Sequence, residues 1–140
     1  MNKKKIDFSF TSYDLINSKN IKIGTRLAKP ILNYQDLLKS CDIGLSTVIF
    51  KKKIFDNYCK FPNLKTKEDF VMWLKIAKKG IILYGMQSQL SQWRKTSGSL
   101  SSDIVQKIYD GFRVYYKHLN FGFFKSIYYL VLLSLNSFKR

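Results

Sequence analysis

Two adjacent carboxylates, Glu68 and Asp69, are the side chains of this sequence whose type and position best suit them to chemistry. The chain has 9 acidic residues among 140, so a neighbouring pair is an unusual use of a scarce residue type. A carboxylate beside a hydroxyl group can accept its proton as the oxygen attacks, which is general-base catalysis. Such a base must be held by a rigid element, and the N-terminus of a helix is one.

The Glu68–Asp69 pair also has a structural interpretation, as part of a helix cap. Thr66 can be the N-cap residue, which places Asp69 at the third helical position of a capping box. Acidic residues in a first turn also interact favourably with the helix dipole. The residues by themselves leave both interpretations open.

The net charge of the chain is +16, from 25 Lys and Arg against 9 acids. Nucleic acids, anionic lipid headgroups and diphosphate substrates are all attracted by a field of this sign. The basic residues are dispersed, and no segment has the pattern of a known nucleic-acid-binding motif, so specific nucleic-acid binding is not predicted. The alternative is that the lysines only solvate the surface.

The contents of cysteine and histidine argue against a disulfide framework or a four-ligand zinc site, because the chain has 2 Cys and 1 His. Reduced thiols at Cys41 and Cys59 in a cytoplasmic protein are the simplest account. No metal ligand is therefore predicted.

The elements that position these residues form a predicted mixed α/β (α+β) fold, with strands early in the chain and helices late. Alternating apolar residues predict a β-hairpin over about 6–28. Further strands are predicted over 45–50 and 81–84, and a polar loop over 86–102. Helices are predicted over 34–39 with Asn33 as N-cap, over 52–58, from Thr66 to a stop at Gly80, over 103–119 and over 124–138.

The helix that follows Thr66 carries one apolar stripe, which would fix the carboxylate pair against a core. The stripe consists of Phe70, Trp73, Leu74 and Ala77.

The apolar C-terminal segment 121–138 is shorter than the 20 or so residues of a membrane-spanning helix. Two placements stay open for it: a helix at the interface of a membrane, or a helix packed on the core. The first would make the protein peripheral on the inner face of the cell membrane.

Several short segments carry a resemblance to a known family. They are Thr11-Ser12-Tyr13, Leu37-Leu38-Lys39-Ser40, Ile43-Gly44-Leu45-Ser46-Thr47-Val48, Glu68-Asp69-Phe70 and Trp73-Leu74-Lys75. Their order and spacing resemble the C-terminal half of family 2 glycosyltransferases of the GT-A fold. These enzymes serve bacterial capsule, lipopolysaccharide and exopolysaccharide synthesis. The resemblance extends from about Phe8 to the C-terminus.

The resemblance implies roles for particular residues. Asp69 would be the catalytic base, with Glu68 as its neighbour or substitute. Arg94 and Ser99 would bind the substrate diphosphate, since a loop with arginine and hydroxyls before a helix suits an anion. A serine-rich loop ending in an N-cap is the alternative, and Thr96 and Gly98 depart from the residues common in the family.

The acceptor side of the family's site corresponds to the segment Ile43–Thr47. Gly44, Ser46 and Thr47 are the predicted substrate-binding residues, and Gly44 would let the backbone approach a ligand closely. An ordinary entry into a strand is the alternative.

The nucleotide-binding half of the family and its Asp-x-Asp motif, which holds Mg²⁺ or Mn²⁺, have no counterpart in these 140 residues. The chain alone is therefore expected to be inactive, as a truncated gene product or as one half of a split enzyme with a separate N-terminal polypeptide. The implied enzyme is an inverting hexosyltransferase that moves sugar from a nucleotide-sugar donor to a saccharide or lipid-linked acceptor.

The expected organisation is an acceptor-side domain over 1–120 followed by an amphipathic helix over 121–140. The alternative function is a non-catalytic, basic protein that keeps this fold and binds an anionic membrane surface.

Overall fold

The computed structural model of the protein describes residues 5–96 and 103–138, which form a mixed α/β fold. The strands are β1 Phe8–Ile16, β2 Lys22–Arg26, β3 Ile31–Leu32, β4 Ile49–Phe50 and β5 Leu83–Arg94. The helices are α1 Tyr34–Lys39, α2 Glu68–Lys78, α3 Ile104–Arg113 and α4 Phe123–Phe138. A π-helical turn, Val114–His118, extends α3.

The predicted hairpin is confirmed, because β1 and β2 pair antiparallel. Its turn is closed by the side chain of Asn17, whose Oδ1 accepts hydrogen bonds from the backbone N–H groups of Lys19 and Ile21 at 2.9 and 3.0 Å. Asn20 takes the left-handed conformation with φ of 63°. Asparagine tolerates this conformation better than most residues.

The prediction of a polar loop from Met86 was wrong, because the strand that begins at Leu83 runs to Arg94. β5 pairs in parallel with β1, from Ser9 opposite Tyr84 to Ile16 opposite Arg94, with bulges near Ser12. The sheet order is β2-β1-β5-β3, with β4 on the hairpin side of β1. Glutamines and serines made this segment resemble a loop, whereas backbone pairing with a distant strand decided its structure.

The prediction of one buried strand over 45–50 was also wrong. Leu45–Thr47 forms a single 3₁₀ turn, and only Ile49–Phe50 pairs as a strand. The Thr47 hydroxyl donates to the Gly44 carbonyl at 2.7 Å, which stabilises the turn against an extended backbone. Segment 52–58 forms 3₁₀ turns instead of one short helix.

The start of α1 is capped as predicted. Asn33 Oδ1 accepts from the N–H groups of Gln35 and Asp36, and Asp36 accepts from the N–H of Asn33. Both halves of a capping box are therefore present.

The predicted helix after Thr66 is α2, and it lies in the core. Its apolar stripe is buried, and Trp73 packs edge-on against Phe8 with ring centroids 5.1 Å apart. Gly80, with φ of +80°, follows the helix and ends it as predicted. The apolar packing of α2 fixes its N-terminus, which carries the two carboxylates.

The two C-terminal helices are confirmed, and their ends lie within one residue of the predicted bounds when the π-helical turn Val114–His118 is counted with α3. α4 packs on the core through Leu133 and Ser126, which are 4% and 0% exposed. Among the described residues, no helix has both the length and the apolar character that a membrane span requires.

Candidate active site

The start of α2 has no side-chain cap, so the predicted capping box of Thr66 and Asp69 is wrong. The N-cap is Lys67, in the left-handed conformation with φ of 63° and without a capping hydrogen bond from its side chain. The Thr66 hydroxyl instead donates to Asp110 Oδ2 at 3.0 Å. The Thr66 hydroxyl, which the sequence analysis assigned to the cap of α2, is therefore hydrogen-bonded to Asp110 of α3.

Asp110 is the buried carboxylate of this junction, and its oxygens are well satisfied. Oδ2 accepts from the Thr66 N–H at 2.9 Å and from Gln106 Nε2 at 2.9 Å, and Arg113 lies 3.3 Å from Oδ1. Burial alone would raise the pKa of Asp110, but the hydrogen bonds from Gln106 and Thr66 and the charge of Arg113 lower it. The ionised form is thus stabilised inside the fold.

Asp69, three residues after Thr66, is in the opposite situation. It is partly buried, and its Oδ1 accepts a hydrogen bond of 2.7 Å from the Phe70 N–H. Burial raises the pKa of Asp69, and the neighbouring charge of Glu68 raises it further, against the opposing effects of Phe70 N–H and Lys67. A carboxylate with a raised pKa holds a proton more readily, as a general base requires.

The other acidic residues of the chain either accept a capping hydrogen bond at the N-cap or N3 position of a helix or form an ion pair, whereas Asp69 accepts from the N–H of the adjacent Phe70. Asp36 and Asp103 accept hydrogen bonds at helix starts. The ion-paired acids are Asp7, Asp14, Asp42, Asp56 and Asp110. Within residues 5–96 and 103–138, no lysine or arginine lies within 4.0 Å of a carboxylate oxygen of Glu68 or Asp69.

The predicted acceptor-side residues lie on the 3₁₀ turn between α1 and β4. Gly44 contacts the ring of Tyr13, and a Cβ added there would lie 3.0 Å from Tyr13 Cε1. Ser46 is exposed, and Thr47 is buried at the edge of a cavity. The absence of a side chain at Gly44 therefore lets its backbone lie close to the ring of Tyr13 in β1.

That cavity has a volume of about 790 Å³ and lies against β1 and β5. Its walls are mainly apolar, with Ile49, Tyr84, Met86 and Leu90 among them, and Thr47 contributes to its rim. Thr47 lines this cavity, whereas Glu68 and Asp69 do not. The predicted acceptor-side residue and the two predicted catalytic carboxylates are therefore not brought together there.

Sequence reasoning placed Tyr84 in a strand but missed the rest of the β5 side of this cavity, because the segment from Met86 was predicted to be a loop. Tyr84, Met86 and Leu90 occur at even positions, with Gln87 and Gln89 between them. This short alternation was the available signal for a strand.

Arg94 lies at the end of β5, where its guanidinium contacts the hairpin turn. Nη1 donates to the carbonyl of Asn17 at 3.1 Å and to Asn20 Oδ1 at 2.6 Å. The structure thus places this predicted diphosphate ligand beside the β1–β2 turn. Its predicted partner, Ser99, lies outside the described residues, as does the rest of segment 97–102.

In the part of the chain that the structure describes, no cluster of three or more His, Cys, Asp or Glu side chains could hold a metal ion. Cys41 and Cys59 are reduced thiols.

Known proteins similar to the chain are bacterial glycosyltransferases. The putative teichuronic acid biosynthesis glycosyltransferase TuaG of Bacillus subtilis (strain 168) is 29% identical over 141 aligned positions, which cover 100% of this chain and 56% of TuaG. In Escherichia coli, WfgD is 33% identical over 77% of this chain and 42% of its own length. WfgD is named a UDP-Glc:α-D-GlcNAc-diphosphoundecaprenol β-1,3-glucosyltransferase.

A second protein of Escherichia coli, WfaP, has the same enzyme name as WfgD and is also 33% identical over 77% of this chain. The chain spans about half the length of the curated relatives that it matches. No protein-family model matches it, and no solved structure matches it significantly.

Proposed function

We propose that this chain, which is a glycosyltransferase family 2-like C-terminal region, supplies the acceptor side and the catalytic base of an inverting glycosyltransferase. The enzyme would act in the synthesis of a cell-surface polysaccharide. Its donor is a nucleotide sugar, and its acceptor is a saccharide hydroxyl, either free or linked to a membrane lipid.

The proposed reaction is a single displacement. The acceptor oxygen attacks the anomeric carbon as the bond from that carbon to the nucleotide diphosphate breaks. The hydroxyl proton passes to a carboxylate oxygen of Asp69, and the diphosphate leaves with the electron pair of the broken bond. A hydroxyl is a poor nucleophile until its proton is accepted, so the base contributes directly to the rate.

The observation that carries the proposal is the state of Asp69. In a chain of net charge +16, this carboxylate lies partly buried at the start of a core helix, with no basic group of the described residues within 4.0 Å of it. Burial raises its pKa. Perturbed carboxylates of this kind are enriched at catalytic sites, because structural carboxylates are normally paired.

A divalent metal on the donor diphosphate is expected in this class of enzyme. The described residues do not fit a metal, since they contain no suitable cluster of ligands. The whole sequence also lacks an Asp-x-Asp motif. We therefore assign the metal and the nucleotide to a donor-binding part outside these residues, and propose that the 140 residues alone do not transfer sugar.

The proposal can be tested by joining the 140 residues to the part of WfgD that they do not match. The substrates are those in the name of WfgD, UDP-Glc and GlcNAc-diphosphoundecaprenol, and the readout is acceptor-dependent release of UDP. We expect Asp69→Asn to lower kcat by roughly 10²–10⁴-fold, the range for loss of a general base, with a smaller effect on KM.

The matched control is Asp36→Asn, which changes a carboxylate whose oxygen accepts a capping hydrogen bond at α1. We expect it to leave kcat within about twofold, because helix capping acts on stability. Equal kcat values for Asp69→Asn and the parent chimera would remove Asp69 from the mechanism. A parent chimera without activity, beside active WfgD, would contradict the assignment of the acceptor side to this chain.

A further inference from the structure

The exposed side of α4 is an unbroken apolar surface. We call it the outer face of α4, and it consists of Phe124, Ile127, Tyr128, Val131 and Leu135. Phe124 is 85% exposed, Tyr128 59% and Leu135 53%. Because positions 124, 128, 131 and 135 recur every three or four residues, these side chains form one stripe along about three turns.

Contacts on the opposite side of α4 fix this orientation. Leu133 lies in the core, and Asn136 Nδ2 donates to the carbonyl of Lys39 at 2.9 Å. Leu130 lies against α3, where its Cδ1 is 2.9 Å from the position of a Cβ added to Gly111. The helix cannot roll its outer face inward without losing these contacts.

Neighbouring α3 also carries exposed apolar side chains. Phe112 contacts Phe123 with ring centroids 5.8 Å apart, so the two helices meet at this end. Val105 and Tyr109 of α3 are 78% and 59% exposed. Exposed apolar surface of this extent on a soluble domain usually marks a site of interaction.

The charge around the outer face identifies the kind of partner. Segment 111–140 contains no acidic residue, and its basic residues are Arg113, Lys117, Lys125, Lys139 and Arg140. Lys117 and Lys125 are exposed. An apolar and aromatic stripe in a segment that carries cations and no acids matches the boundary of an anionic membrane, where acyl chains meet headgroup phosphates.

We propose that the outer face of α4 docks this protein on an anionic phospholipid surface. The aromatic and aliphatic side chains enter the headgroup–acyl boundary, and the lysines bind phosphates. The helix lies along the surface, consistent with the finding that the described helices do not suit a membrane span. This proposal goes beyond the transferase reaction and does not depend on Asp69.

The test is flotation of the 140-residue chain with vesicles of phosphatidylcholine alone or with about 30% phosphatidylglycerol. We expect binding to the anionic vesicles at least tenfold tighter than to the neutral ones, because each basic residue near the surface adds attraction. The triple variant Phe124→Ser, Val131→Ser and Leu135→Ser should bind anionic vesicles at least tenfold more weakly, because it removes the inserted side chains.

The matched control is Leu90→Ser, which removes an apolar side chain of β5 that is 66% exposed. It should bind vesicles as tightly as the parent chain. This result would show that the weaker binding of the triple variant is not a general consequence of removing exposed apolar side chains. Far-UV circular dichroism establishes that each variant is folded, as expected for exposed positions.

The charge contribution is tested separately by Lys117→Gln with Lys125→Gln, which should reduce binding to anionic vesicles and leave binding to neutral vesicles unchanged. Three results would overturn the proposal: equal binding of the triple variant and the parent, no preference for anionic vesicles, or a dimer in light scattering that the triple variant dissociates and that does not bind vesicles.

Discussion

Asp110 and Asp69 are two carboxylates at one junction, where the chain enters α2, and they differ in almost every respect. Asp110 is fully buried and accepts hydrogen bonds from Thr66 and Gln106, with Arg113 beside it. Asp69 keeps some exposure, accepts from the adjacent Phe70 N–H, and has a raised pKa where Asp110 has a lowered one. A buried charge stabilises a fold when its oxygens are satisfied. Asp110 meets this condition, and Asp69 is better suited to exchanging a proton.

The largest expected difference between the two residues is in stability. Asp110→Asn should lower the free energy of unfolding by about 2–4 kcal/mol, because the amide has one acceptor oxygen in place of two, so its NH2 group must face either Arg113 or the donors of Thr66 and Gln106. Asp69→Asn should cost less than about 0.5 kcal/mol, in the range of substitutions that break no buried network. Urea unfolding at pH 7 measures both. Equal losses would show that Asp69 is a structural carboxylate as well.

The dependence of stability on pH should differ in sign. The pKa of Asp110 is lowered from 3.8, so its ionised form stabilises the fold above pH 3.8, and this contribution is lost as pH falls through the folded-state pKa. The pKa of Asp69 is raised from 3.8, so its contribution is greatest below pH 3.8 and is lost as pH rises through the folded-state pKa.

Melting temperatures from pH 3 to pH 7 therefore separate the two carboxylates. The melting temperature of Asp110→Asn should fall further below that of the parent as pH rises. The melting temperature of Asp69→Asn should instead rise relative to that of the parent over the same range. Parallel curves for the two variants would contradict the difference in their environments.

A smaller difference between the two carboxylates is expected in their coupling to Thr66, which donates to Asp110 and lies three residues before Asp69. Thr66→Val removes the hydroxyl that donates to Asp110 Oδ2 and should destabilise the fold by about 1 kcal/mol. In double-mutant cycles it should couple to Asp110→Asn by about 0.5–1.5 kcal/mol and to Asp69→Asn by about 0.3 kcal/mol or less. A stronger coupling of Thr66 to Asp69 than to Asp110 would support the capping box predicted from the sequence. Thr66→Ser is the control, because it keeps the hydroxyl.

Local signals in the sequence determined the elements whose stabilising contacts are close along the chain. They predicted the β1–β2 hairpin, the Asn33 cap of α1, the end of α2 at Gly80 and the two C-terminal helices. The Glu68–Asp69 pair was also correctly placed at a helix start. Periodicity and capping act within a few residues, so the sequence displays them directly.

Tertiary structure alone decided the features that depend on distant partners. Segment 86–94 became a strand because it pairs with β1, although its glutamines and serines resembled a loop. Thr66 donates to Asp110, which is 44 residues away, and Arg94 contacts Asn17, which is 77 residues away. Such pairings close long loops of chain, and no property of either residue alone specifies its partner, so only the folded chain revealed that Asp110 is the carboxylate paired with Thr66 and Arg113.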